Sequence, residues 1–186
     1  LELFVTDEYQ HNLLYRARRE GSEYSLRRII DRGVSPYTPP VVASDGQGIF
    51  AVHWFNDDLD RAGFTRIVEG RLADWNTEPN PFAFDSPSTI SAADDGWLIV
   101  RSRLGTTVDG FEVLVSQLSN ARGAVLSETT IGEGSEPVTS SAADGFGVLF
   151  LHDFDTLRFQ ELSSRGCPRG APLRIDAPRG GQFSKY

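Results

Sequence analysis

The feature that most constrains this chain is a segment that occurs three times. PPVVASDGQGIFAVHW at residues 39–54 returns as SPSTISAADDGWLIVRS at 86–102 and as EPVTSSAADGFGVLFLHD at 136–153. Each copy sets a proline before a short β-prone run, then an Asp-Gly turn and a run of apolar residues, the pattern of two antiparallel strands joined by a tight hairpin. The turn glycines fix the period: Gly46 to Gly96 is 50 residues and Gly96 to Gly145 is 49. Self-similarity at that spacing belongs to units that cannot bury an apolar face alone and stack to do so.

Within one period the third repeat divides into PSTISAA, WLIVRS, FEVLVSQL and AVLSETTI, separated by DDG, LGTTVDG and SNARG. Helix is excluded, because no window sustains apolar residues at i, i+3, i+4 and i+7 before Gly or Pro interrupts it. Four short strands with turn residues between them describe one blade of a β-propeller, so the expected fold is all-β with four-stranded antiparallel blades of about 49–50 residues. In the second copy VVASDG and IFAVHW are followed by the loop FNDDLDRAG, the strand FTRIVEGRL and a less regular segment from Trp75 to Phe84. In the fourth, TSSAADG, VLFLHD, TLRFQEL and APLRI fill the same places. The first copy begins at LELFVTD, in phase with a second strand, and continues with LLYRARREG and YSLRRII. The expected division is a partial blade at 1–35, blades at 36–84, 85–134 and 135–178, and the start of a further repeat at 179–186. A four-bladed ring with one three-stranded blade and an excerpt of a larger propeller both fit; the exposed faces of an unclosed array favour the excerpt, with further blades from a parent chain or another chain.

The repeated proline, the β run ending in Ala-x-Asp-Gly and the apolar strand ending near Trp or His resemble the loosely related propeller repeats of secreted bacterial proteins. That resemblance implies the fold and an extracytoplasmic setting, and no activity, since propellers carry many unrelated functions. The repeats lack the Gly-His and Trp-Asp pairs of WD repeats and the recurrent Gly-Gly pair of kelch repeats, and Ala43 and Gln47 stand where a sialidase-type Asp box has Ser and Gly.

Charge and composition narrow the partners. The 26 acidic against 18 basic side chains give a net charge of -8, which repels a phosphate backbone and argues against nucleic acid. No apolar run approaches the roughly 18–20 residues of a membrane span. Cys167 is the single cysteine, in the loop RGCPRG, so no internal disulfide and no cysteine metal site is expected. The chain begins without Met and contains none, which reads as a trimmed segment.

Candidate site residues follow from strand order. Connections entering the first strand and leaving the second share a rim, which would collect Tyr37, Asp85, Ser86 and Glu136 with Asp57, Asp58, Asp60, Thr106, Asp109, Asp153 and Asp155. Five residues past Gly48, Gly96 and Gly147 stand His53, Arg101 and His152, a candidate polar ring below that rim. The plainer reading is that each side chain bonds its own loop. Asn56, Asp57, Asp58 and Asp60 are rich in oxygen but lack calcium-loop spacing, so a solvated acidic loop is expected, with no metal and no cofactor. Asp45, Asp95 and Asp144 are expected as turn formers, Asp tolerating the left-handed backbone and Gly supplying positive φ. Arg16, Arg18, Arg19, Arg27 and Arg28 read as a solvated edge or a dock for an acidic partner. Trp54 and Trp97 are expected in the core, Trp75 outside it. These residues support a non-enzymatic binding or scaffold module for a protein or glycan, with no catalytic residue assigned; the alternative is part of a propeller hydrolase or lyase acting on carbohydrate, which needs a pair of carboxyl groups across a cleft.

Overall fold

The computed structural model describes residues 2–7, 13–21, 23–30, 40–55, 61–68, 71–79, 88–104, 112–152 and 156–175. Among these every regular element is a β-strand, and the chain is all-β. Strands β1 (Glu2–Asp7), β2 (Leu13–Glu20) and β3 (Glu23–Ile30) form a three-stranded sheet. Three four-stranded sheets follow: β4 (Val41–Ser44), β5 (Ile49–Phe55), β6 (Arg61–Val68) and β7 (Arg71–Pro79); β8 (Ser88–Ala93), β9 (Gly96–Leu104), β10 (Glu112–Asn120) and β11 (Val125–Glu133); and β12 (Ser135–Ala142), β13 (Gly145–His152), β14 (Thr156–Ser163) and β15 (Leu173–Ile175). Every paired neighbour is antiparallel, and spatial order in each sheet follows chain order. The chain divides into two compact units, Leu1–Asp85 and Ser86–Tyr186.

In the first unit the continuous stretch expected over FTRIVEGRL is two strands, with Val68 paired to Arg71, and the polar segment around Trp75 is part of β7. Arg71, Leu72 and Ala73 are exposed. A strand with so few strongly apolar residues leaves only a weak sequence signal. Strand β5 is the opposite case: Val52 and Trp54 on one face and Ala51 and His53 on the other are all buried, which is why IFAVHW reads as an unbroken apolar run. Trp54 packs with Val52 and Ile67, and its indole N–H donates to the buried Thr65 hydroxyl at 3.0 Å. Gly63 lies opposite Trp54 in the ladder, and a Cβ there would sit 2.1 Å from the indole ring. The ring occupies the room that the glycine leaves.

In the second unit two sheets meet face to face. Leu98 and Val100 of β9 and Leu114 of β10 bury against Phe146, Val148 and Phe150 of β13 and Leu162 of β14. Burying one such side chain contributes roughly 1.5–3 kcal/mol relative to exposure, so the seven together are a major source of the unit's stability. The first strands of the two sheets are fastened by hydroxyls: Thr139 Oγ1 lies 3.1 Å from Thr89 Oγ1 and 2.7 Å from Ser91 Oγ, and Ser141 Oγ donates to the Ala92 carbonyl at 2.6 Å. On the other flank Ser116 Oγ donates to the Gly166 carbonyl at 2.8 Å. The Ser/Thr-rich runs STISAA and PVTSSA thus have a cross-sheet role.

The turns differ from expectation in their chemistry. Asp45, Asp95 and Asp144 all keep negative φ. The β8–β9 and β12–β13 hairpins close on two residues, with Ala93 paired to Gly96 and Ala142 to Gly145, so these glycines open the second strand and lie beyond the turn. Neither has positive φ. What each requires is the absence of a side chain: a Cβ on Gly96 would lie 1.9 Å from the Ser119 carbonyl oxygen, and one on Gly145 would lie 2.1 Å from that of Leu162. Gly46, after Asp45, does have the expected positive φ of 78°, and positive φ also serves a longer, recurring turn. Gly48, Gly123 and Gly166 have φ of 95°, 84° and 75°, each three residues after a side chain that ties the turn, namely Asp45, Asn120 and Ser163. In all three the N–H of the first residue donates to the carbonyl four residues on, and its side-chain oxygen accepts the N–H of that same residue. This is the longer hairpin loop that ends on a left-handed glycine, with an Asx- or Ser-type bond stabilising its start.

Gly96→Ala and Gly145→Ala are each expected to lower unfolding free energy by on the order of 2–3 kcal/mol through overpacking. Gly46→Ala, at φ 78° with open space around it, should cost about 1 kcal/mol from backbone conformation alone. Urea denaturation of the three variants checks the order; equal losses would mean that backbone conformation, not close approach, sets the requirement at Gly96 and Gly145.

Candidate functional site

The expected polar ring is distributed differently in the structure. His53 is 2% exposed on β5, paired with Val41 and Phe64. Arg101 is 6% exposed on β9 and lies 3.9 Å from Glu128 Oε2, which also accepts a hydrogen bond from Gln117 Nε2 at 2.9 Å. His152 ends β13 with Nδ1 at 3.1 Å from the Glu133 carbonyl. Gly96 and Gly145 hold the same ladder position, each paired back to the alanine that ends the preceding strand, so Arg101 corresponds in register to Phe150 and His152 to Arg103. Counting from Gly147 is offset by two residues, and Arg101 and His152 do not share one depth. Asp57, Asp58, Asp60, Asp109, Asp153 and Asp155 lie outside the described residues, as do Tyr37, Asp85, Ser86 and Thr106. Glu136, from the same expected rim, has φ 52°, the one positive value at a non-glycine among the described residues.

A concavity lies at the other end of the strands, where the sequence points only to scaffold. A cleft of about 350 Å³ opens in the second unit between the β8–β9 and β12–β13 hairpins. Asp94, Asp95 and Asp144 stand among its lining residues with Ser141 and Ser164, small side chains from Ala92, Ala93, Ala142 and Ala143, and the exposed Leu126. The turn chemistry places these groups. Two-residue hairpins hold Asp94, Asp95, Ala143 and Asp144 at the tips, and the close approach at Gly96 and Gly145 sets the third strands directly beneath.

One side of the cleft is fixed by an ion pair. Arg169 Nη1 donates to Asp144 Oδ2 at 2.6 Å, and its Nη2 donates to the Asp144 carbonyl at 2.8 Å. Arg169 is held by its own main chain: its N–H donates to the Glu161 carbonyl at 2.8 Å, its carbonyl accepts from the buried Gln160 Nε2 at 3.2 Å, and Pro168 bridges to Leu162. The loop RGCPRG therefore works through its second arginine. Cys167 is exposed, with its sulfur 3.9 Å from Thr129 Oγ1 and from the Arg165 carbonyl. The hydrogen bond from Arg169, and then its charge, hold the Asp144 carboxyl below its ordinary value near 3.8. Asp144 is thus an anchored carboxylate, while Asp94 and Asp95 are exposed at the other hairpin.

Trp54 and Trp97 are buried as the sequence suggested. The side chains of Trp75 and of Arg16, Arg18, Arg19, Arg27 and Arg28 lie outside what the structure describes; the backbone register sets Arg16 opposite Arg27 and Arg28 opposite Tyr15. Among the described residues no group of three or more His, Cys, Asp or Glu is arranged to hold a metal ion, and no helix is long and apolar enough to cross a membrane. Comparison with protein-family models and with curated protein sequences gives no match.

The cleft residues carried a sequence signal, the recurrent Ala-x-Asp-Gly, which was absorbed by its structural role. Nothing in the sequence joined Asp144 to Arg169, 25 residues away.

Because the folded-state pKa of Asp144 is depressed, the pair stabilises the fold fully above the unfolded value near 3.8, and the contribution is lost as pH falls through the lower folded value. Arg169→Gln is expected to raise the Asp144 pKa toward its ordinary value and to remove this acid-limb dependence, read by carbonyl-carbon NMR titration. An unmoved Asp144 titration would show that the pair does not persist in solution.

Proposed function

We propose that the chain is an array of β-propeller-type blades acting as a non-enzymatic binding module, which takes a protein or glycan ligand on the loop faces at its strand ends. Contiguous, hairpin-connected antiparallel sheets that stack face to face support the propeller reading. The observation that carries the binding reading is the cleft between the two hairpins, with carboxylates on both sides, hydroxyls of Ser141 and Ser164 and an apolar contact at Leu126. Carboxylate and hydroxyl acceptors beside small apolar side chains suit the hydroxyls and C–H faces of a sugar, or a basic side chain of a protein partner. The rigidity of the support favours binding too, because tips held by two-residue turns and an anchored Asp144 lose little freedom when a ligand docks.

The test fills the cleft without touching the core. Ala143→Trp, at an exposed turn position in the cleft wall, is expected to abolish binding to whichever glycan or peptide a glycan array and a peptide library select with the wild-type chain, with the circular dichroism spectrum unchanged. Undiminished binding by a folded Ala143→Trp protein would remove the cleft as the site.

A further inference from the structure

The sequence holds four Asp-Gly pairs, at 45–46, 95–96, 109–110 and 144–145, and the structure describes the first, second and fourth. Such a pair carries its own nucleophile and electrophile. The glycine main-chain nitrogen, with no Cβ beside it, attacks the aspartyl Cγ: the N–Cγ bond forms, the carboxyl OH leaves as water with the amide proton, and a cyclic succinimide results. Addition of a water then opens the ring at either carbonyl, restoring aspartate or giving isoaspartate, in which the main chain runs through the former side chain. The reaction needs no oxidant, metal or enzyme, and no surface has to be open to a partner. Its reactive form is the neutral carboxyl, because an ionised carboxylate is a poor electrophile, and Cγ must be free to turn toward the next nitrogen.

Two of the three described pairs are held out of this geometry. Asp45 Oδ1 accepts the N–H groups of Gln47 at 2.8 Å and Ile49 at 3.0 Å, and the Gly46 N–H donates to Ser44 Oγ at 3.1 Å, so both reacting groups are engaged. Asp144 is fixed by Arg169, which donates to its Oδ2 at 2.6 Å and to its carbonyl at 2.8 Å. The same contact holds the carboxyl below its ordinary value and so in the unreactive ionised form. Asp95 is the contrasting case: it is exposed at the second position of the β8–β9 turn, and among the described residues its side chain has no hydrogen bond or ion pair. Gly96 closes its hairpin opposite Ala93 as Gly145 does opposite Ala142, so that restraint is common to both and the difference lies at the carboxyl.

We propose that Asp95-Gly96 is a site of covalent self-modification, the pair among the three described at which isoaspartate forms fastest. The consequence follows from the hairpin. Isoaspartate adds a carbon to the main chain between residues 95 and 96, and a turn of two residues between the paired Ala93 and Gly96 has no slack for it. Gly96 also lies against the Ser119 carbonyl so closely that there is no room for a side chain. The added atom therefore displaces the β8–β9 tip, which is one wall of the hairpin cleft. The inference stands on the turn chemistry and holds whatever the cleft binds.

The test is incubation of the folded full chain in mildly acidic buffer for several weeks, with a synthetic peptide of residues 90–100 as a clock for the unrestrained reaction. Isoaspartate is located by peptide mapping with an endoproteinase that cuts before aspartate and not before isoaspartate, and its amount is read with an isoaspartate-specific carboxyl methyltransferase and labelled S-adenosylmethionine. The expected result is isoaspartate at position 95 accumulating severalfold faster than at 45 or 144. In Arg169→Gln, with an unchanged circular dichroism spectrum, the rate at 144 rises severalfold and that at 95 stays the same. A folded chain with no conversion at 95 once the peptide has converted, equal rates at 95 and 144 in the wild type, or a folded Arg169→Gln chain whose rate at 144 has not risen would overturn the proposal.

Discussion

The contact between β8–β11 and β12–β15 is the constraint from which the rest of the second unit follows. Seven side chains, from Leu98 to Leu162, must interdigitate across two twisted sheets, and such a core tolerates little displacement before voids open. The small side chains of the first strands meet this requirement. Thr89, Ser91, Thr139 and Ser141 lie where β8 and β12 come together, and larger side chains there would hold the strands apart and unpack the Phe146–Phe150 ridge. Their hydroxyls bond across the junction, so the close approach leaves fewer polar groups unsatisfied. Gly96 and Gly145 answer the same demand at the other end, where the chain turns back so tightly that a carbonyl from the third strand occupies the space of a side chain. The cleft sits just beyond these points.

Much of this architecture was legible because the repeat repeats its burial. The second strands β5, β9 and β13 carry the densest apolar runs, and these central strands are among the most buried in the chain. In β9 both faces are covered, from Trp97 through Ser102, which is why WLIVRS shows no alternation and still reads as a strand. The polar outer strands were harder. Strand β7 carries only a weak alternation, Ala73, Trp75 and Thr77 against Asp74, Asn76 and Glu78, and β15 is three residues long and exposed throughout.

The candidate site was legible in a more limited way. Sequence placed Asp95 and Asp144 in turns correctly, but positive φ at the following glycine holds only at Gly46; Gly96 and Gly145 lack it, and it recurs at Gly48, Gly123 and Gly166 in a longer turn. The common signature of that turn, Asp, Asn or Ser followed three residues later by Gly, is visible as DGQG, NARG and SSRG. It escaped notice because the residues differ at its first position while the hydrogen-bonding role, a side-chain oxygen accepting an N–H four residues on, stays the same. The register of His152 failed for a related reason. The sequence holds two glycines in the fourth copy, Gly145 and Gly147, and only the ladder shows which one matches Gly96.

These differences separate two kinds of information in a repeat. Apolar burial is shared by β5, β9 and β13, so it survives averaging over the copies and identifies the strands. Outside the recurring turn bonds of Asp45, Asn120 and Ser163, polar side-chain contacts differ from copy to copy. The pairing of Asp144 with Arg169 exists in the last sheet because the link from β14 to β15 runs back over the hairpin, whereas the hairpin at Asp94 and Asp95 lies beside β10 and the Asn120 turn. Arg101 with Glu128 and Gln117 is likewise a local solution, in which a buried cation is placed beside a carboxylate and an amide, and Phe150 takes the same ladder position one repeat later. A charged arginine and a phenylalanine are interchangeable there only if the strand scaffold carries the fold and the facing position is free to vary. That freedom is what allows sheets of one repeated scaffold to present a different surface at each strand end, and it directs the search for recognition in this chain to the residues on which its repeats disagree.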